Sequence, residues 1–182
     1  IYGDGKEQIL TEAHPPGSGF LCKVCTDWEQ EALTAAKNGV RVSVMRFGVV
    51  LGRGGALSKM LPAFKLFAGG PLGSGSQWFP WIHIQDLVNA VDFLVHNKDA
   101  HGIFNFTAPS PVRQKDFAAA LGRAVNRPSF FPAPSFLIKS VMGELGQAFL
   151  ESQRAIPENL ARLGYEFSHI EIGAALNDIL RE

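Results

Sequence analysis

Residues 42–52 read VSVMRFGVVLG, a short run of β-branched and apolar side chains that stops at glycine. Such a run has no polar face to offer water. It fits a strand covered on both sides, as in a parallel sheet held between layers of helix. Ligands of such sheets bind in the crevice beyond the carboxyl ends of the strands. A site in this chain is therefore expected along residues 48–55, with a second apolar stretch, WIHIQDLV at 81–88, beside it.

The flanking patterns agree with that placement. Leu21, Val24, Cys25, Trp28, Ala32 and Ala35 recur at helical spacing, and Asn38-Gly39 supplies a stop. Lys23, Asp27, Glu29, Glu31 and Lys37 form the opposite face and read as solvated. A helix that ends at glycine and feeds a buried strand is half of a βαβ unit. Downstream, Leu57, Met60, Leu61, Phe64 and Leu66 predict a helix that carries Pro62. Trp81, Ile82 and Ile84 predict an extended stretch, and Asp86 is expected to cap a helix with Leu87, Ala90, Val91, Phe93 and Leu94 on its apolar face. A strand at 102–106 and helices at 117–125, 137–150, 157–163 and 172–180 complete the reading. Residues 2–19 are expected to form a turn-rich surface loop.

Charge excludes several functions. Lysine plus arginine equals aspartate plus glutamate at 17 each, and the basic residues are scattered, so no groove attracts nucleic acid. No apolar run approaches the ~20 residues that cross a bilayer, and no basic-then-apolar signal segment opens the chain. With Cys22 and Cys25 as the only cysteines, a reducing cytoplasm is expected. A small-molecule substrate is the expected partner.

Several side chains invite a chemical role, and each has a plainer one. Cys22 and Cys25 have the spacing of a redox or zinc motif, but no further cysteine or histidine pair completes a ligand set, and small apolar helix filler suffices. No metal site is expected. His83 could move a proton in the cleft or could bond the neighbouring backbone. Residues 52–55, GRGG, could cradle a phosphate with Arg53 or serve as a flexible connection. Trp78, Phe79 and Trp81 could form a ligand platform or a core. Arg46 could touch a ligand or could anchor its strand on a carboxylate. His14, His96, His101 and His169 stand in polar surroundings and read as surface residues.

The order YGDG, WEQEA, RVSVMRFGVVLGRGG, GSGSQWFPWIHIQDLVNA, GIFNFTAPSP resembles the C-terminal half of extended short-chain dehydrogenase/reductases. The tail GELGQAFLESQRAIPENLARLGYEF is similar to the extension of their branch of epimerase family proteins. The resemblance implies the α/β C-terminal half of a Rossmann-type parallel sheet, with a smaller, mostly helical substrate-type domain. The expected parts are 1–56 with 81–107 for the first and 57–80 with 108–182 for the second. It implies NADP or NAD as cofactor, with Gly48, Val49 and Val50 beside the nicotinamide, and Phe79, Trp81 and His83 on the substrate side. The family's glycine fingerprint for the pyrophosphate is expected before Tyr2, in a longer gene product.

The family's catalytic pair is a tyrosine and, four residues later, a lysine on one helix. Anchoring on Glu29 puts Leu21 and Cys25 at those positions; anchoring on Phe20 gives Phe20 and Val24. Neither register supplies the pair, so no catalytic residue is assigned. Val49 and Phe79 replace an asparagine and an arginine of nucleotide-sugar enzymes, and a phenyl ring cannot fork a diphosphate. The resemblance therefore points to an NAD(P)-dependent oxidoreductase or epimerase with a non-standard acid/base and a small, non-nucleotide substrate. The alternative is a dinucleotide-binding protein without catalysis, serving as sensor, scaffold or assembly partner.

Overall fold

The computed structural model describes residues 1–136, 138, 146 and 149–181. The helix expected at 137–150 lies largely outside the described residues. After β1 (Ile9–Leu10) comes α1 (Phe20–Thr34), which tightens into a 3-10 turn (Ala35–Asn38) and ends at Gly39 in the left-handed region, φ 78°. Glycine meets no steric penalty there, which is why the stop was legible.

The run at 42–52 is two strands and not one. β2 (Ser43–Phe47) pairs in parallel with β6 (Gly102–Phe106), and β3 (Val49–Leu51) pairs in parallel with β5 (Trp81–His83). Gly48 is the point where the chain changes partner. Its amide donates to the Phe106 carbonyl at 3.0 Å, and the next amide, of Val49, donates to the Pro80 carbonyl at 2.8 Å. A Cβ on Gly48 would meet the Pro80 carbonyl carbon and oxygen and Thr107 Cγ2 at 3.0 Å each. A side chain here would need these neighbours to give by a few tenths of an ångström, so glycine suits this close approach.

Two further pairs complete the strands. β4 (Trp78–Phe79) runs antiparallel to β7 (Val112–Arg113), and β8 (Arg154–Ala155) runs parallel to β1. Helices α2 (Gly55–Lys65), α3 (Ile84–His96), α4 (Gln114–Ala124), α5 (Glu158–Arg162) and α6 (Ile172–Arg181) cover them. One core joins Leu51, Leu57, Phe64, Phe79, Trp81 and Phe117 to the inner face of α6; a second joins Ile82 and α3 to Phe104, Phe106 and Leu160. No described helix is long and apolar enough to cross a membrane.

Candidate functional site

A cavity of about 570 Å³ opens between α1 and the edge of β2 that carries no partner strand among the described residues. Tyr2, Cys25, Trp28, Arg46, Gly48 and Thr107 are among its walls. The apolar face expected of α1 is open here: within the helix only Cys22 is buried, and Trp28 is 73% exposed.

Below the opening is a polar cluster. Arg46 forks Glu29, Nε to Oε1 and Nη2 to Oε2, each at 2.7 Å. Glu29 is thus a nearly covered partner of β2 and not part of a solvated face. Arg46 is an anchor, as one of its two readings had it. Its Nη1 donates to the Tyr2 hydroxyl at 2.8 Å, and that hydroxyl faces Asn105 Oδ1 at 2.7 Å and the Thr11 carbonyl at 3.0 Å. Burial lowers the hold of Arg46 on its proton, but the hydrogen bonds to Glu29 and Tyr2 outweigh it and keep the group above its ordinary value. Burial likewise pushes the Tyr2 phenol up, against the pull of Arg46. A phenol held protonated and already engaged serves as a structural tie.

The Glu29–Arg46 pair fixes which face of α1 lies on β2. Cys25, one turn before Glu29, lines the cavity. Cys22 and Cys25 are both free thiols.

Gly48 lies on the cavity wall at the carboxyl end of β2, with Val49 and Val50 following into β3. The amides of Gly48 and Val49 are engaged by Phe106 and Pro80, so a ligand on this edge would meet other atoms of the backbone. Phe79, Trp81 and His83 are not brought to the cavity. Phe79, 3% exposed, packs on Phe117 with ring centroids 4.5 Å apart, and Trp81, 1% exposed, lies in the same core.

His83 is buried and caps α3: its Nδ1 accepts the Gln85 amide at 3.1 Å. Asp86 is not the cap but sits inside the first turn, where its buried carboxylate accepts the amides of Ser168 and His169, each at 2.8 Å. His169 is not a surface residue. Its ring stacks on His83 at 3.6 Å and its Nδ1 faces Asp86 at 3.3 Å. His83, His169 and Asp178 thereby gather three potential metal-binding atoms that the sequence keeps far apart. Because His83 accepts at Nδ1, its neutral ring carries the proton on Nε2, facing Asp178. The stacked rings of His83 and His169, with the Asp86 carboxylate on the amides of 168 and 169, tie α3 to the C-terminal segment.

A family model described as NAD dependent epimerase/dehydratase family matches residues 1–106, and one described as a domain of unknown function, DUF1731, matches residues 133–179. The epimerase family protein SDR39U1 homolog, chloroplastic, of Arabidopsis thaliana is 44% identical over 99% of this chain and 52% of that protein. The epimerase family protein MT2273 of Mycobacterium tuberculosis is 41% identical over 96% of this chain and 59% of that protein. The chain thus spans a little over half the length of these relatives. Among solved structures, human epimerase family protein SDR39U1 (isoform 2) with NADPH superposes with a TM-score of 0.92 at 38% identity, over 100% of this chain and 62% of that one. A nucleoside-diphosphate sugar epimerase from Corynebacterium glutamicum gives 0.76 at 34%, over 98% and 34%.

Proposed function

The chain belongs to the NAD-dependent epimerase/dehydratase family, and from that premise we propose that it supplies the nicotinamide-side floor of a site for NADP or NAD. The whole protein would be an oxidoreductase or epimerase acting on a small substrate that is not a nucleotide sugar. The observation that carries this reading is Gly48, which presents main chain to the cavity wall at the carboxyl end of β2, where the strand changes partner. A backbone edge free of side chains suits close approach by a flat ring. The human relative whose structure contains NADPH supports the choice of cofactor.

The bound nicotinamide would supply or take up the hydride. The chain's own contribution is positional. Gly48, Val49 and Val50 set the floor, and the Glu29–Arg46 pair holds α1 over it. Phe79, Trp81 and His83 would act on the substrate side by fixing the wall behind it, since their side chains face inward. Phe79 offers no charged fork for a diphosphate, which supports a substrate outside the nucleotide sugars.

A second reading, a dinucleotide-binding protein without catalysis, is favoured by the lack of a tyrosine–lysine pair in either register of α1. One experiment separates the two. The full-length protein is titrated with NADPH by fluorescence and then incubated with deuterium-labelled NADPH and a panel of carbonyl compounds. Binding with transfer of label supports the enzyme; binding without transfer supports the second reading; failure to bind either NADPH or NADH defeats both.

A further inference from the structure

Trp78 carries two guanidinium groups against its indole. The Arg113 carbon lies 3.9 Å from the ring centroid and the Arg154 carbon 4.5 Å. Arg113 is the cross-strand neighbour of Trp78, while Arg154 comes from β8 in the C-terminal segment. The backbone around β8 is firmly seated. Ser152 Oγ donates to the Lys6 carbonyl at 2.6 Å and accepts the Trp78 amide at 3.1 Å, and the Ser152 amide donates to Asp4 Oδ1 at 3.1 Å.

The two arginines differ in what their N–H groups meet. Arg113 donates to both oxygens of Glu7, at 2.9 and 2.6 Å, and to the Ser76 carbonyl at 2.7 Å. Arg154 donates to no acceptor among the described residues, and its Nε is closed off from solvent with no acceptor. Glu7 is the carboxylate whose charge reaches both, yet Arg113 and the Trp78 Nε1, at 3.2 Å, already bond it. Asp116 acts on Arg113 from α4 without a hydrogen bond. An indole attracts a cation through its quadrupole but accepts no guanidinium hydrogen bond in the ring plane. Arg154 therefore sets a guanidinium against the indole whose remaining N–H groups, at the Nη end, donate to no acceptor among the described residues. The geometry suits the two oxygens of a carboxylate or phosphate.

We propose that Arg154, on Trp78, is a binding site for the oxyanion of a small molecule, carboxylate or phosphate. Arg154, Trp78 and Arg113 are not among the walls of the cavity, although Gln153 and Ala155 are, and the proposal stands whether or not the cofactor reading holds.

The test is a titration of the full chain with sodium phosphate and, separately, with sodium acetate, at constant ionic strength set by sodium chloride. The readout is the Arg154 side-chain N–H resonance in a nitrogen-15 spectrum, assigned with Arg154→Lys. The expected result is a saturable shift with at least one of the two anions, its identity naming the preferred chemistry, and binding weakened about tenfold or more in Arg154→Gln. Glu7→Gln, which releases Arg113, is expected to tighten binding several-fold, so the proposal stays exposed even if Arg154→Gln does not fold. A linear drift equal to that with chloride alone, or unchanged affinity in both variants, would overturn it.

Discussion

Arg46 on β2 and Glu29 on α1 are joined by two parallel hydrogen bonds of 2.7 Å, with both side chains almost covered. The pair sets the rotation of α1 over the sheet edge, and so decides which side chains of that helix reach the cavity.

Breaking that pair from one side should be costly, because the remaining charge is left without its partner. Glu29→Gln is expected to lower stability by about 3 kcal/mol, while Glu29→Leu with Arg46→Met should recover most of the loss. Urea unfolding of Glu29→Gln, Glu29→Leu, Arg46→Met and the Glu29→Leu, Arg46→Met double variant measures this. Additive losses would show that the pair does not act as a unit.

Tyr2 and Tyr165 are the only tyrosines, and both are shifted upward from 10.0. Burial is the main cause for each, and it carries Tyr165, with Asp86 close by, to about 12. A folded pKa above the unfolded one means the folded chain binds the proton more tightly. The associated stability is whole below pH 10 and declines as pH rises through the folded values. Tyrosinate absorbance should stay low at pH 10 in the native chain and appear on unfolding, and Tyr165→Phe should flatten the alkaline fall in melting temperature. Half-ionised tyrosine in the native chain at pH 10 would contradict this.

Gly48→Ala should destabilise the chain by about 1–3 kcal/mol, the range for forcing one extra methyl into a packed site. Its Cβ would press on Pro80 and Thr107, which hold the junction of β2 and β3. In the full-length protein the same change is expected to weaken NADPH binding more than it lowers the melting temperature, since it moves the proposed floor directly. Equal affinity in variant and parent would remove Gly48 from the cofactor site.

Asp86→Asn keeps the shape of the side chain but replaces one acceptor oxygen by a donor facing backbone amides. A loss of about 2 kcal/mol is expected. The segment around Ser168 and His169 should also become open to proteolysis before the rest of the chain does. Limited digestion followed by mass spectrometry reads the order of cleavage. Cleavage elsewhere first would show that Asp86 is not what holds this segment.

Much of the architecture was legible because it depends on local pattern. The apolar run at 42–52, the glycine stop after α1 and the periodic faces of α3 and α4 each answer to the alternation or helical spacing of neighbouring residues. The division of that run at Gly48 was not legible, because it follows from a change of hydrogen-bonding partner between β6 and β5. The expected cap at Asp86 failed for a related reason. Its carboxylate was drawn to the amides at 168 and 169, and His83 took the capping place.

The amino-acid order alone determined the alternation of strand and helix, the apolar floor and the absence of a tyrosine–lysine pair on α1, since these are properties of composition and spacing. Tertiary structure decided which polar groups meet: Glu29 with Arg46, His83 with His169, Arg154 with Trp78. Burial can be read from periodicity, but a charged or ring group takes the partner that chain closure brings within ~3–4 Å, and no local pattern encodes that neighbour.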